Sequence, residues 1–430
     1  MQEQTPTPIR GWTVVFAALA INLILGVLYA WSVMGKALVL QWHWKAAQAS
    51  LPFTISAAAF ALMMIFAGRW QDKIGPRYVA MLGGIILGLG LIASSFAKTP
   101  TLMLVTFGMV GGFGIGLGYS ATTPPSIKWF PPARKGLITG IVVSGVGLAA
   151  VWIAPLTQFL LKATSIPNTF LILGAGTIVV VSLLSQLLTN PPAGYTPAPV
   201  AAAGAPAAKA PTARPNLDWH EMLRTGQFYQ LWLMFVLAAS AGLMIISQVA
   251  LIARDQAHID KWGFAPVATL AIFNTCGRVV SGFLSDRIGR TNTMIIAFIL
   301  QAVNMFAFSY YTTPALLIFG SAFTGLCYGT IFTLFPATTA DFYGVRNLGV
   351  NYGLVFTGFG VAGIIGPMLA GWIRDTTGTY HNSFVICAVM LLVGAALAFV
   401  AKPPRIEAAP PAPGPAGGSA RQAQPELLQK

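Results

Sequence analysis

The sequence predicts an all-α membrane protein of twelve transmembrane helices in two six-helix bundles. Three observations predict it. Twelve stretches are apolar over about 20 residues, the length that crosses a bilayer. Basic residues concentrate on alternate connections between those stretches. The second half of the chain repeats motifs of the first. Composition agrees: the 430 residues are 56% hydrophobic and 8% charged, whereas a soluble domain is about 25% charged.

The first six spans are expected over 12–34, 51–70, 78–97, 101–122, 136–161 and 167–189. The other six are expected over 228–253, 264–284, 293–311, 314–336, 349–373 and 383–401. The first is too long for a cleaved signal peptide and reads as a retained helix. Residues 191–215 hold seven Pro and ten Ala, a composition that cannot build a packed core. The expected organisation is an N-terminal bundle over 1–190, a Pro/Ala-rich cytoplasmic linker over 191–226, a C-terminal bundle over 227–402 and a disordered cytoplasmic tail over 403–430.

The net charge of +14 would suggest nucleic acid in a soluble protein. Its placement argues otherwise. With the N-terminus inside, 17 Lys and Arg fall on cytoplasmic segments and helix ends, seven on outer loops and one in the interior of a span. That bias places both termini in the cytoplasm of a cell whose inner, or plasma, membrane holds the protein. The expected surroundings are therefore a lipid bilayer, with no nucleic acid.

Enzyme chemistry finds no support in the sequence. Cys276, Cys327 and Cys387 form no CxxC pair and read as core residues. The four histidines show no ligand spacing, and no nucleophile or paired-carboxylate pattern lies within a span. No metal or cofactor is expected.

The duplication carries most of the functional information. Gly68, Asp72, Lys73, Gly75 and Arg77 return as Gly282, Asp286, Arg287, Gly289 and Arg290, the second copy one residue shorter at its basic end. Gly116 and Tyr119 return as Gly325 and Tyr328. Parallel repeats of six helices build two bundles that rock about a site between them.

The pattern Gly-x3-Asp-[Arg/Lys]-x-Gly-x-[Arg/Lys], present twice, resembles the signature loop of the major facilitator superfamily. The resemblance spans about residues 10–402 and implies a transporter fold in which these loops gate one conformation. Within that superfamily the chain resembles the monocarboxylate transporters and the related oxalate–formate antiporters, most of all a bacterial proton-coupled L-lactate carrier. Four passages carry the likeness: Gly26-x2-Tyr29-x-Trp31-Ser32, Trp129-Phe130-Pro131-x2-Arg134-x-Gly136, Asn274-x3-Arg278 and Arg346-Asn347-x3-Asn351-Tyr352-Gly353. Gly11-Trp12 lacks the acidic residue that animal relatives place before it.

Arg278 is the single positive charge in the interior of a span, Arg69 lying at the cytoplasmic end of one. It lies eight residues before Asp286, roughly 12 Å along a helix. No Asp or Glu lies within any expected span. A lone charge at mid-membrane costs about 2.5–3.5 kcal/mol on insertion scales, a cost that a wet cavity and an anionic substrate offset. Its planar fork suits one carboxylate. The alternative is a structural arginine bonded to backbone carbonyls. The related oxalate carriers hold a second carboxylate with a lysine in the eleventh helix, where this chain has Phe359. One cation therefore points to monocarboxylates.

Further substrate-binding candidates follow. Asn274 shares a face with Arg278 and replaces the Asp of animal relatives. Tyr119 and Tyr328 supply hydroxyls. Phe332 and Phe359 supply apolar walls. Leu28 and Leu148 contact a methyl end, and Gly145 leaves room for it. Importing a monoanion against a negative-inside potential costs about 2.3 kcal/mol per 100 mV, which one co-transported proton removes. Asp255 and His258, near the outer end of the seventh helix, are the candidate proton carriers. A solvated surface role is the alternative for both. The resulting expectation is a monomeric carrier of a small monocarboxylate and a proton by alternating access, with an exchanger of the oxalate–formate type as the rival.

Overall fold

The computed structural model describes residues 8–44, 46–192, 194–197, 216–258 and 264–404. The linker segment 198–215 and the tail from 405 onward lie outside them, as does the expectation of disorder there. Among the described residues, twelve helices are long and apolar enough to cross a membrane. They are α1 Ile9–Trp42, α2 Leu51–Ile74, α3 Pro76–Ser94, α4 Pro100–Lys128, α5 Pro132–Ala163 and α6 Ile166–Ser185. They continue as α7 Gly226–Val249, α8 Ala265–Ile288, α9 Arg290–Phe308, α10 Pro314–Tyr343, α11 Leu348–Arg374 and α12 His381–Val400. This is the predicted fold class.

Several helix ends move from the sequence expectation, some outward and some, as at α3 and α6, inward. α1 runs to Trp42 and α10 to Tyr343, each beyond its expected end. Apolarity marks the bilayer crossing, whereas backbone hydrogen bonding continues until a cap or a Gly stops it. At Gly344, φ is 84° and α10 ends. Local sequence sets the starts. Thr99 and Thr313, 214 residues apart, each cap a helix whose first residue is Pro, the preferred residue there.

Two helices depart from α geometry in mid-span. α1 tightens into a 3-10 turn over Gly26–Ala30. α4 widens into π geometry over Leu104–Gly111. Cys276 is exposed on α8, while Cys327 and Cys387 are buried. The expectation that all three are core residues is corrected for Cys276, because its place in an apolar span does not set which way it faces.

Within the C-terminal bundle α8 packs along α10. Gly329 faces the Asn274 carbonyl and Gly277 faces that of Leu326, so closely that any β-carbon would collide with backbone. Such contact is typical of membrane helices, where small residues let backbones meet. Between the bundles, α2 pairs with α11 and α5 with α8.

The linker is pinned at both ends. Tyr195 packs on Trp129, with ring centroids 5.3 Å apart, and donates to its carbonyl. At the other end Leu217 lies against the α10–α11 turn. Its amide donates to Tyr343, and its carbonyl accepts from Asn347 and Asn351. Asp218 and Glu221 then form a reciprocal cap on a one-turn helix.

Candidate substrate site

The site is a cavity of about 40 Å³ between the bundles, room for a few waters. Its N-terminal wall comes from the 3-10 turn of α1 (Gly26, Leu28), with Phe60, Tyr119 and Val146. Its C-terminal wall comes from Arg278, Phe332, Phe356 and Phe359.

Arg278 is 1% exposed and makes no ion pair among the described residues. Its Nε donates to Asn274 Oδ1 at 3.2 Å. Its Nη1 donates to the Val143 carbonyl of α5, across the bundle boundary. The guanidinium carbon lies 4.6 Å from the Phe332 ring centroid, a cation–π contact. A guanidinium has five N–H donors, and these bonds use two. Arg278 lines a pocket whose other walls are apolar or hydroxylic. That combination is chemically suited to an anion.

The predicted residues divide into three groups. Arg278, Tyr119, Phe332, Phe359 and Leu28 line the cavity. Asn274 does not line it but holds Arg278 from behind. Tyr328 packs its edge on Phe332 at 5.2 Å and lines a separate void of about 10 Å³ beside Gln301 and Cys327. It stands behind the cavity wall.

On α5 the expected register is corrected. Gly145 is pressed against α1, where a β-carbon would meet the Leu19 carbonyl and Asn22. Leu148 is 37% exposed. Val146, between them, reaches the cavity, because one residue turns the helix by about 100°. Sequence reasoning also missed Phe60, Phe356 and Ile115. No charge, repeat or motif separates them from the other phenylalanines and apolar residues of the spans.

Asp255 is joined to Arg374 at 2.8 Å, and His258 is exposed and ends the helix that continues α7 to Ala257, with φ 52°. Neither lines the cavity.

The signature loops lie at the end of the molecule that carries the linker. Gly75 and Gly289 adopt nearly the same left-handed conformation, φ 93° and 94°. Asp286 accepts from the amides of Gly136 at 2.9 Å and Leu137 at 2.8 Å, in the first turn of α5. Asp72 accepts from the Val350 amide at 3.1 Å, in the first turn of α11. Each acid thus caps a helix of the opposite bundle, where the helix dipole favours negative charge. Gly68 meets Gly349 and Gly282 meets Gly136 at these crossings. Arg290 joins Asp286 to Asp341, and Lys135 of the other bundle pairs with Asp341 at 3.1 Å. Lys73, Arg77 and Arg287 are exposed.

A sequence profile described as Major Facilitator Superfamily matches residues 11–303 and 262–428. The oxalate:formate antiporter of Oxalobacter formigenes is 26% identical over 90% of this chain and 90% of its own length. Monocarboxylate transporter 13 of Bos taurus is 28% identical over 89% of this chain and 87% of its own. The transporter FucP in its outward conformation superposes with a TM-score of 0.66 at 17% identity, covering 90% of this chain and 99% of that one.

Proposed function

Since the chain belongs to the major facilitator superfamily, and so is a membrane transporter, we propose that it moves small monocarboxylates such as L-lactate and pyruvate together with a proton, by alternating access. The observation that carries this reading is the buried Arg278, turned into an interbundle cavity with no acidic partner among the described residues. The similarity to proteins named for monocarboxylates supports it.

In this mechanism the carboxylate takes the free N–H groups of Arg278 and the Tyr119 hydroxyl. Phe332, Phe356, Phe359 and Leu28 exclude water from its carbon end. Neutralising Arg278 lowers the cost of closing the cavity over it. The proton offsets the carboxylate's charge, so that transport does no work against the membrane potential. Asp255 and His258 are its proposed carriers. The two signature acids hold the linker side shut while the cavity loads. The protein would act as a monomer in the inner, or plasma, membrane, with both termini in the cytoplasm.

An exchanger of the oxalate–formate type is the rival reading, favoured by the similarity to a protein of that name. Phe359 opposes it, because a dianion beside Arg278 alone keeps one charge unmatched. Reconstituted liposomes separate the two. Labelled L-lactate should accumulate under an inward proton gradient, stop when the gradient is collapsed and fail in Arg278→Ala. Uptake that requires carboxylate loaded inside would support exchange instead.

A further inference from the structure

The two helix crossings at the linker side are built unequally. Where α8 meets α5, the polar groups are partnered. Asp286 holds two amides and Arg290. Ser285, just before it, donates to the Gly282 carbonyl at 2.9 Å and accepts from Arg290 at 2.6 Å. Arg290 and Lys135, from opposite bundles, both pair with Asp341.

Where α2 meets α11, several polar groups are left over. Asp72 accepts the Val350 amide through Oδ2, and its Oδ1 is buried with no hydrogen-bond partner among the described residues. It makes no ion pair among them; Lys128 attracts it from farther off. Gln71, just before it, is 0% exposed. Neither its Oε1 nor its Nε2 finds a partner among the described residues. Asn351 gives its Nδ2 to the Leu217 carbonyl, and its buried Oδ1 is likewise unpartnered.

The duplication shows where the difference arises. Gln71 stands where the second copy has Ser285, 214 residues on, and Asn351 stands where α5 has Ile138, at the offset of 213 that relates Gly140 to Gly353. Serine bonds the backbone of its own helix here, and isoleucine has no polar group to satisfy. A glutamine amide brings two donors and an acceptor into a crossing so tight that a β-carbon on Gly349 would lie 2.6 Å from its Oε1. A polar group that loses water without gaining a partner costs free energy. That cost exists only while α2 and α11 are pressed together, because parting the bundles lets water reach the amide.

We propose that Gln71 is a release element of the linker-side gate: its unpartnered amide destabilises the closed α2–α11 crossing and keeps the open state within reach. The α5–α8 crossing carries most of the restraint. A carrier needs this balance, since a gate that strongly favours one state leaves the other unpopulated. The proposal rests on the transporter fold and on no particular substrate.

The test reads the gate directly, on the full chain in detergent. In a background without Cys276, Cys327 and Cys387, spin labels are attached through Ala133→Cys in the N-terminal bundle and Asn292→Cys in the C-terminal bundle. Both positions are exposed at linker-side helix starts. Double electron–electron resonance gives the ratio of short (closed) to long (open) distances, in the otherwise native gate and again beside Asp286→Asn. Gln71→Met keeps the length of the side chain and removes its amide. It should raise the closed-to-open ratio about three- to tenfold, as the relief of one unpartnered buried group does. Ser285→Ala, which removes a satisfied group, should lower the ratio. A ratio that is unchanged or lower in Gln71→Met overturns the proposal, because the amide would then be satisfied in the closed gate. If neither background shows the long distance, melting temperatures decide: Gln71→Met should melt above its parent, and an equal or lower value overturns the proposal.

Discussion

Asp286 of the C-terminal bundle holds the Gly136 amide of the N-terminal bundle at 2.9 Å. Asp72 and Val350 repeat the arrangement in the reverse direction. Two acids that the sequence marks as one duplicated motif thus make reciprocal caps, each on a helix its own bundle does not own. Opening the linker side requires both bonds to break.

Asp286→Asn should loosen that side. An amide cannot accept as a charged pair of oxygens does, and the interaction of a carboxylate with a helix start is worth about 0.3–2 kcal/mol. Val350 is 6% exposed. A cysteine there, in a background without Cys276, Cys327 and Cys387, should react several-fold faster with an impermeant thiol reagent from the linker side once Asp286→Asn is added. An unchanged rate would show that Asp286 does not restrain the opening.

Arg278→Ala should abolish carboxylate binding, and Arg278→Lys should restore only part of it. Charged hydrogen bonds contribute about 1.5–3 kcal/mol each, so at least a tenfold loss is expected for the alanine variant. Lysine keeps the charge without the planar fork and cannot reach both Asn274 and Val143. Isothermal titration of L-lactate checks both variants.

Phe359→Lys should invite a dianion. Phe359 shares the cavity wall with Arg278, so a second cation there would match a second carboxylate. Oxalate, expected to be ineffective against wild type, should then inhibit uptake, and L-lactate affinity should fall. Competition assays in liposomes measure both.

Gly329→Val should damage the site through packing alone. Gly329 faces the Asn274 carbonyl with no room for a β-carbon. Overpacking costs about 1–3 kcal/mol, so the melting temperature should drop by several degrees. Carboxylate affinity should fall with it, because α8 would be pushed away with Arg278 on it.

Asp255→Asn separates structure from coupling. The Asp255–Arg374 pair is about one-third exposed on each side, so its loss should cost under about 1 kcal/mol. If Asp255 carries the proton, gradient-driven accumulation disappears while counterflow of carboxylate survives. Retained accumulation would remove Asp255 from the coupling scheme.

Much of this molecule was legible in the chain. Twelve spans, the linker, the duplication and Arg278 follow from hydropathy, composition and one misplaced charge. Each is a property of a residue and its sequence neighbours. The motif glycines were legible as glycines, but not as the places where Gly68 meets Gly349 and Gly282 meets Gly136.

Tertiary structure alone decided which side of each helix faces the site. The period of α5 permits Gly145, Val146 or Leu148 to face inward, and only the contact of Gly145 with α1 selects Val146. Phe356 carries no local mark, and its place in the site comes from contacts such as that with Tyr119, far away in sequence. The physical reason is that lipid solvates an apolar side chain as well as a helix neighbour does. Hydrophobicity in a membrane span therefore says that a residue crosses the bilayer, and close backbone packing determines what it touches.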